Sequence, residues 1–153
     1  MAVLIDDRQN KLKTTPKKIQ KKAQAILNAL GCPDGELSIL IVDDSQIAAL
    51  NKQYLHRSGP TNVIAFPMQE GEFSTITPQL LGDVVISIET AEKEGKKAGI
   101  ETEVRFAQLL VHGILHLFGY DHEKDEKESL RMNRKSDELL KLIENREVRP
   151  WLD

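Results

Sequence analysis

The sequence predicts an α/β (α+β) fold, a small mixed sheet of about four strands covered mainly by helices, forming one domain over residues 1–153. Three observations point there. Short β-branched runs alternate with longer helical patterns, 40% apolar residues in 153 are enough for one continuous core, and neither a repeat nor a low-complexity segment divides the chain.

The elements follow in order. Residues 2–5 form a short apolar run suited to a strand. Thr15 and Pro16 read as N-cap and first position of a helix whose Ile19, Ala23, Ile26, Leu27 and Leu30 share a face, with Gly31 as the stop. Residues 36–42, nearly all apolar at their end, predict a strand covered on both faces. Asp43 or Asp44 can cap a helix running to about Tyr54, and the turn-forming stretch 56–61 precedes a strand at 62–66 that Pro67 closes. A polar loop is expected at 71–78 and a further strand at 83–88. A charged helix at 89–97 ends at Gly99, and a far more apolar one at 101–118 ends at Gly119 and belongs inside. The last helix is expected over about 123–144, with Leu130, Leu139, Leu140 and Ile143 facing inward.

Charge and composition narrow the function. A formal net charge of −3 disfavours a protein that coats nucleic acid through bulk positive potential, although Lys11, Lys13, Lys17, Lys18, Lys21 and Lys22 crowd one region. The single cysteine, Cys32, cannot form an intramolecular disulfide, which suits a reducing cytoplasm. The start carries Asp6, Asp7 and Arg8 rather than a secretory h-region, and the longest greasy stretch, 109–120, is too short to span a bilayer. A cytoplasmic protein with no membrane association is expected.

The chemistry concentrates in one place. Three of the four histidines fall between positions 112 and 122, in the order His-Gly-Ile-Leu-His-Leu-Phe-Gly-Tyr-Asp-His. His112 and His116 are four apart on a helix and so point the same way. Gly119 accepts the left-handed conformation that ends a helix, and the reversed chain can return His122 to the same point. Three imidazoles suit one zinc ion and leave a fourth position open, as catalytic sites do. Nickel, cobalt or copper would also bind such a set. A single histidine on an apolar face is more often a hydrogen-bonded core residue, but three at this spacing would each need a separate buried partner. Cys32 and His56 offer no fourth ligand at metal-binding spacing, and Asp121 reads as an acceptor for a histidine N–H.

The spacing resembles that of the metzincin proteases, H-E-x-x-H-x-x-G-x-x-H, but Gly113 stands where those enzymes keep their glutamate base. Peptide hydrolysis by that mechanism is therefore disfavoured. The eleven-residue run more closely resembles the signature of the bacterial YbeY family. Leu50-Asn51-x-x-Tyr54, the segment from Pro60 to Pro67 and that from Leu81 to Ser87 agree with it in order and spacing, so the resemblance covers about residues 36–132. It implies a zincin- or metzincin-like domain with the zinc-binding helix at its centre and His112, His116 and His122 as ligands. It also implies a single-strand-specific, zinc-dependent endoribonuclease in maturation of the 16S ribosomal RNA 3′ end and in ribosome quality control. The implied partners are single-stranded ribosomal RNA and the small ribosomal subunit, with no DNA expected.

One departure stands out. Relatives often carry an arginine directly after the tyrosine, where this chain has Leu55; Arg57, two residues on, is the candidate for phosphate binding, set against an ordinary solvated loop arginine. With position 113 empty, the base is the activated water itself, Asp121 or the RNA 2′-hydroxyl. Phe66, Tyr120 and the early lysines are candidates for stacking and basic contacts, though Phe66 also suits the core and lysine runs a solvated helix face. Two rival functions are a metal-dependent hydrolase of peptides or small phosphoesters and a ribosome-assembly factor with structural zinc.

Overall fold

A computed structural model describes residues 3–68 and 79–148; the loop expected at 71–78 lies outside the described residues. The elements run β1 (Val3–Asp7), α1 (Pro16–Ala29), β2 (Glu36–Val42), α2 (Asp44–Leu55), β3 (Val63–Pro67), β4 (Leu80–Ser87), α3 (Ile88–Ala98), α4 (Thr102–Leu117) and α5 (Glu126–Val148). The four strands form one mixed sheet in the order β1-β2-β4-β3, with β1, β2 and β4 parallel and β3 antiparallel to β4. The α/β (α+β) architecture expected of the sequence is the one observed.

Alternation along the strands divides the core. Leu37, Ile39 and Ile41 of β2 and Val84 and Ile86 of β4 face a large cluster completed by α1, α4 and α5. Val42, Ile64 and Val85 face the other way, against Ile47 of α2. Both sheet faces are thus covered, which is why β2 and β4 read as continuous apolar runs.

Local chemistry sets the helix ends. Asp43 and Gln46 form a reciprocal capping box at the start of α2, and the Ser87 hydroxyl accepts from the Thr90 N–H at the start of α3. Ser87 thereby ends β4 one residue earlier than the sequence suggests, so Ile88 is helical rather than extended. At the other end β4 gains Leu80 to Gly82, because Leu80 finds a partner in Glu36 of β2. Asp125 caps α5 by accepting from the Glu128 N–H at 2.8 Å, which starts that helix at 126 rather than 123.

One expected core residue is not in the core. Leu130 is 51% exposed, whereas Met132, Leu139 and Ile143 are 1% exposed. At 100° per residue Leu130 lies about 160° around the helix from Met132, so the inward stripe cannot hold both.

Helix α4 occupies the centre. Nine of its sixteen residues are buried, and it packs against α1, α3, α5, β3 and β4. Gly113 makes this seat possible: a Cβ there would meet Val84 Cγ1 at 2.6 Å and Val63 Cγ2 at 3.1 Å. Among the described residues no helix is long and apolar enough to cross a membrane.

Candidate metal centre

His112 and His116 leave α4 on one side, as their spacing requires, with their Nε2 atoms 3.0 Å apart. The helix then stops in a paired cap. The Gly119 N–H donates to the His116 carbonyl at 3.0 Å and the Tyr120 N–H to the Leu115 carbonyl at 3.1 Å, with Gly119 at φ +88°. This reversal returns His122, so that ligating nitrogens of all three rings lie within 4.8 Å of one another.

The rings differ in setting. His112 and His116 are half-buried and His122 is exposed. Burial first, then the neighbouring His116, His122 and Arg105 charges, push His112 down to about 4. Burial and His122 also lower His116, against Asp121, the Tyr120 backbone and Glu123, which act the other way. Both half-buried rings therefore keep a free lone pair at neutral pH.

That donor set fits a transition-metal ion. In a tetrahedral shell with Zn–N of about 2.0–2.1 Å, two nitrogens lie roughly 3.3 Å apart, close to the His112–His116 separation. The third ring, His122, is the exposed one of the three. The three histidines form a candidate metal site.

A cavity of about 710 Å³ opens over the rings. Its walls include Leu55, Arg57, residues 62–65 of the β3 edge, Tyr120, Asp121 and Glu123. Arg57 and Leu55 thus reach the same cavity as the histidines. His56 instead caps α2 in the left-handed conformation, and Cys32 follows α1; neither belongs to the histidine cluster. Phe66 packs edge-on against Tyr54 beside the smaller core, and Lys18 and Lys22 line a separate cavity with Phe106 of α4. Asp121, expected as the acceptor for a histidine N–H, closes a turn by accepting from the Glu123 N–H at 2.9 Å. The Tyr120 backbone, which the reversing cap carries toward His116, favours the protonated form of that ring against its burial.

Two residues with no role of their own in the sequence reading, beyond membership of the family pattern, position the site. Asn51 is 4% exposed; its side-chain amide donates to the Gly59 carbonyl, and its own carbonyl accepts from the Arg57 N–H, so it ties the loop bearing Arg57 to α2. Asn62 donates to Glu94, which also accepts from Arg105 of α4, joining the cavity wall to the histidine helix. An asparagine near turn chemistry was the visible signal; its partners are fixed only by the fold.

The family model for endoribonuclease YbeY matches residues 4–144. The chain belongs to the YbeY family. An endoribonuclease YbeY from Geobacter metallireducens is 46% identical over 145 residues, covering 94% of this chain and 97% of the relative. A YbeY protein from Syntrophotalea carbinolica is 48% identical over 140 residues, covering 91% and 93%. The solution structure of a Thermotoga maritima protein shares the fold, with a TM-score of 0.67 and 23% identity over 99% of this chain and 95% of that one. YbeY membership therefore rests on matches that run almost end to end.

Proposed function

We propose that this YbeY-family chain is a cytoplasmic, zinc-dependent endoribonuclease that cuts single-stranded ribosomal RNA at the 16S 3′ end, with the small ribosomal subunit as its partner. Membership of the family supports an endoribonuclease role in ribosomal RNA maturation and ribosome quality control. The observation that carries the reading is the convergence of three imidazoles on the floor of an open cavity. Whatever occupies that cavity meets the rings directly.

His112, His116 and His122 would hold the ion, zinc or another divalent transition metal. When bound, such an ion supplies Lewis acidity toward a phosphoryl oxygen and lowers the pKa of water toward about 7. The chain supplies the rest. Arg57, which lines the same cavity, would pair with a phosphate of the strand, a task its planar guanidinium suits better than an ammonium. Asp121, which lines the same cavity and accepts from the Glu123 N–H through one oxygen, is one candidate base beside the activated water and the RNA 2′-hydroxyl. Gly113 lines the cavity but has no side chain and supplies no base, and a Cβ there would meet Val84 and Val63.

The test is direct. Pure protein is incubated with labelled single-stranded ribosomal RNA and with casein, each with and without chelator, while elemental analysis counts the metal. Chelator-sensitive RNA cleavage with one ion per chain is expected. Chelator-sensitive casein cleavage with intact RNA would overturn the proposal.

A further inference from the structure

We propose that the outer face of α5 holds the single strand next to the bond being cut, with Tyr120 and Arg131 stacking a base and Lys127 and Arg134 binding flanking phosphates. The inference rests on the nuclease reading above and adds a place for the part of the strand that leaves the histidine cavity.

Continuity is the first observation. Tyr120 lines the histidine cavity and also a neighbouring open groove of about 590 Å³ along α5. No other residue is shared by the two walls, so a strand leaving the histidines on this side passes the Tyr120 ring. The Arg131 guanidinium carbon sits over that ring, 4.2 Å from its centroid, so a cation and an aromatic group are paired at the junction. Aromatic rings and guanidinium planes are the groups on which unpaired bases stack, and they accept any base because every base has a π-face.

Charge is the second observation. In a chain of net charge −3, this groove collects Lys127, Arg131, Arg134 and Lys135 against Glu126 and Glu138. Positions 127, 131, 134 and 135 recur at helical spacing, which puts them on one stripe. Among the described residues neither Lys127 nor Arg134 has an ion-pair partner, and both are exposed. The one ion pair of Arg131, with Glu128 at 3.2 Å, is exposed, and a phosphate can replace it. The third observation is Leu130, which is half-exposed in the same groove. An apolar side chain among cations suits a ligand with both phosphates and flat apolar faces. A single strand has both, whereas a duplex hides its bases.

The experiment measures anisotropy of a labelled 2′-O-methyl single strand, which cannot use its 2′-oxygen as nucleophile, across a range of salt. Replacing Lys127 and Arg134 together by Ala is expected to weaken binding about tenfold and to reduce the log–log salt slope by about 1.4, or roughly 0.7 for each phosphate no longer neutralised. Arg131→Lys keeps the charge but not the plane; it is expected to weaken binding about fivefold for a strand with bases and to leave an abasic strand unaffected. Metal content and melting temperature should match the parent protein. Should the double variant fail to fold, Arg131→Lys decides alone. Unchanged affinity and slope in the variants, with RNA still cut by the parent, overturns the subsite and leaves the nuclease standing. Variant-sensitive binding by a parent that cuts no RNA does the reverse, and a parent that binds no strand overturns both.

Discussion

Helices α4 and α5 meet at Tyr120 and have opposite tolerances. Nine residues of α4 are buried, while α5 touches the core chiefly through Met132, Leu139 and Ile143. The buried helix fixes where the histidines are; the exposed one is free to vary its charge. A substitution at a buried position of α4 therefore disturbs the seat of the histidines, whereas one on the outer face of α5 is expected to change only what binds.

Four results would sharpen or break that contrast. The largest effect is expected from His116→Ala, which should lower metal content and reduce RNA cleavage by more than about a hundredfold while the chain stays folded. If the variant unfolds with its metal, as judged by circular dichroism, the ion is structural and α4 is not a catalytic platform. Next comes Gly113→Glu, which restores the metzincin pattern in sequence alone. The side chain would drive into Val84, so a loss of about 1–3 kcal/mol in urea unfolding is expected, with no casein cleavage gained. A stable variant would show that α4 is less tightly seated than its packing implies.

Asn51→Ala is expected to cost about 1–2 kcal/mol, since it leaves the Gly59 carbonyl short of a partner, and to raise KM by loosening Arg57. A changed kcat with unchanged KM would place Arg57 outside strand binding. The smallest effect concerns acid. His112 is held down at about 4 by burial and its cationic neighbours, below the usual value near 6.5 for an unfolded chain. As pH falls from 6.5 toward 4 the unfolded chain takes up this proton first, so the chelated protein should lose stability across that window and gain none above it. Urea midpoints of chelated protein and of His112→Leu check this: the variant should show a shallower fall, and parallel curves would deny the shift.

Much of this was legible in the residues. Periodicity located the nine described elements, because β2 and β4 are buried on both faces and α4 is apolar almost throughout. The histidine spacing foretold that the three rings would meet, since a helix and its glycine cap are local structures. What lay hidden depended on neighbours distant in sequence. The start of β4 waited on Glu36, the loop anchor on Asn51 and Gly59, and the outward turn of Leu130 on which side of α5 would face α1 and α4. A leucine carries no mark that tells a core position from a groove. Arg57 shows the same limit from the other side: the sequence named it, but only the cavity shows it beside the histidines.

The paired cap at Gly119 has an outcome for the lifetime of a loaded site. Two rings ride on a rigid rod, and the third hangs on a tight corner held by two backbone hydrogen bonds and one left-handed glycine. If the corner governs how firmly His122 is held, its stability would set the exchange rate of a bound ion without altering any donor. Gly119→Ala, which strains the corner by about 1 kcal/mol, should leave the stoichiometry alone and shorten the residence time.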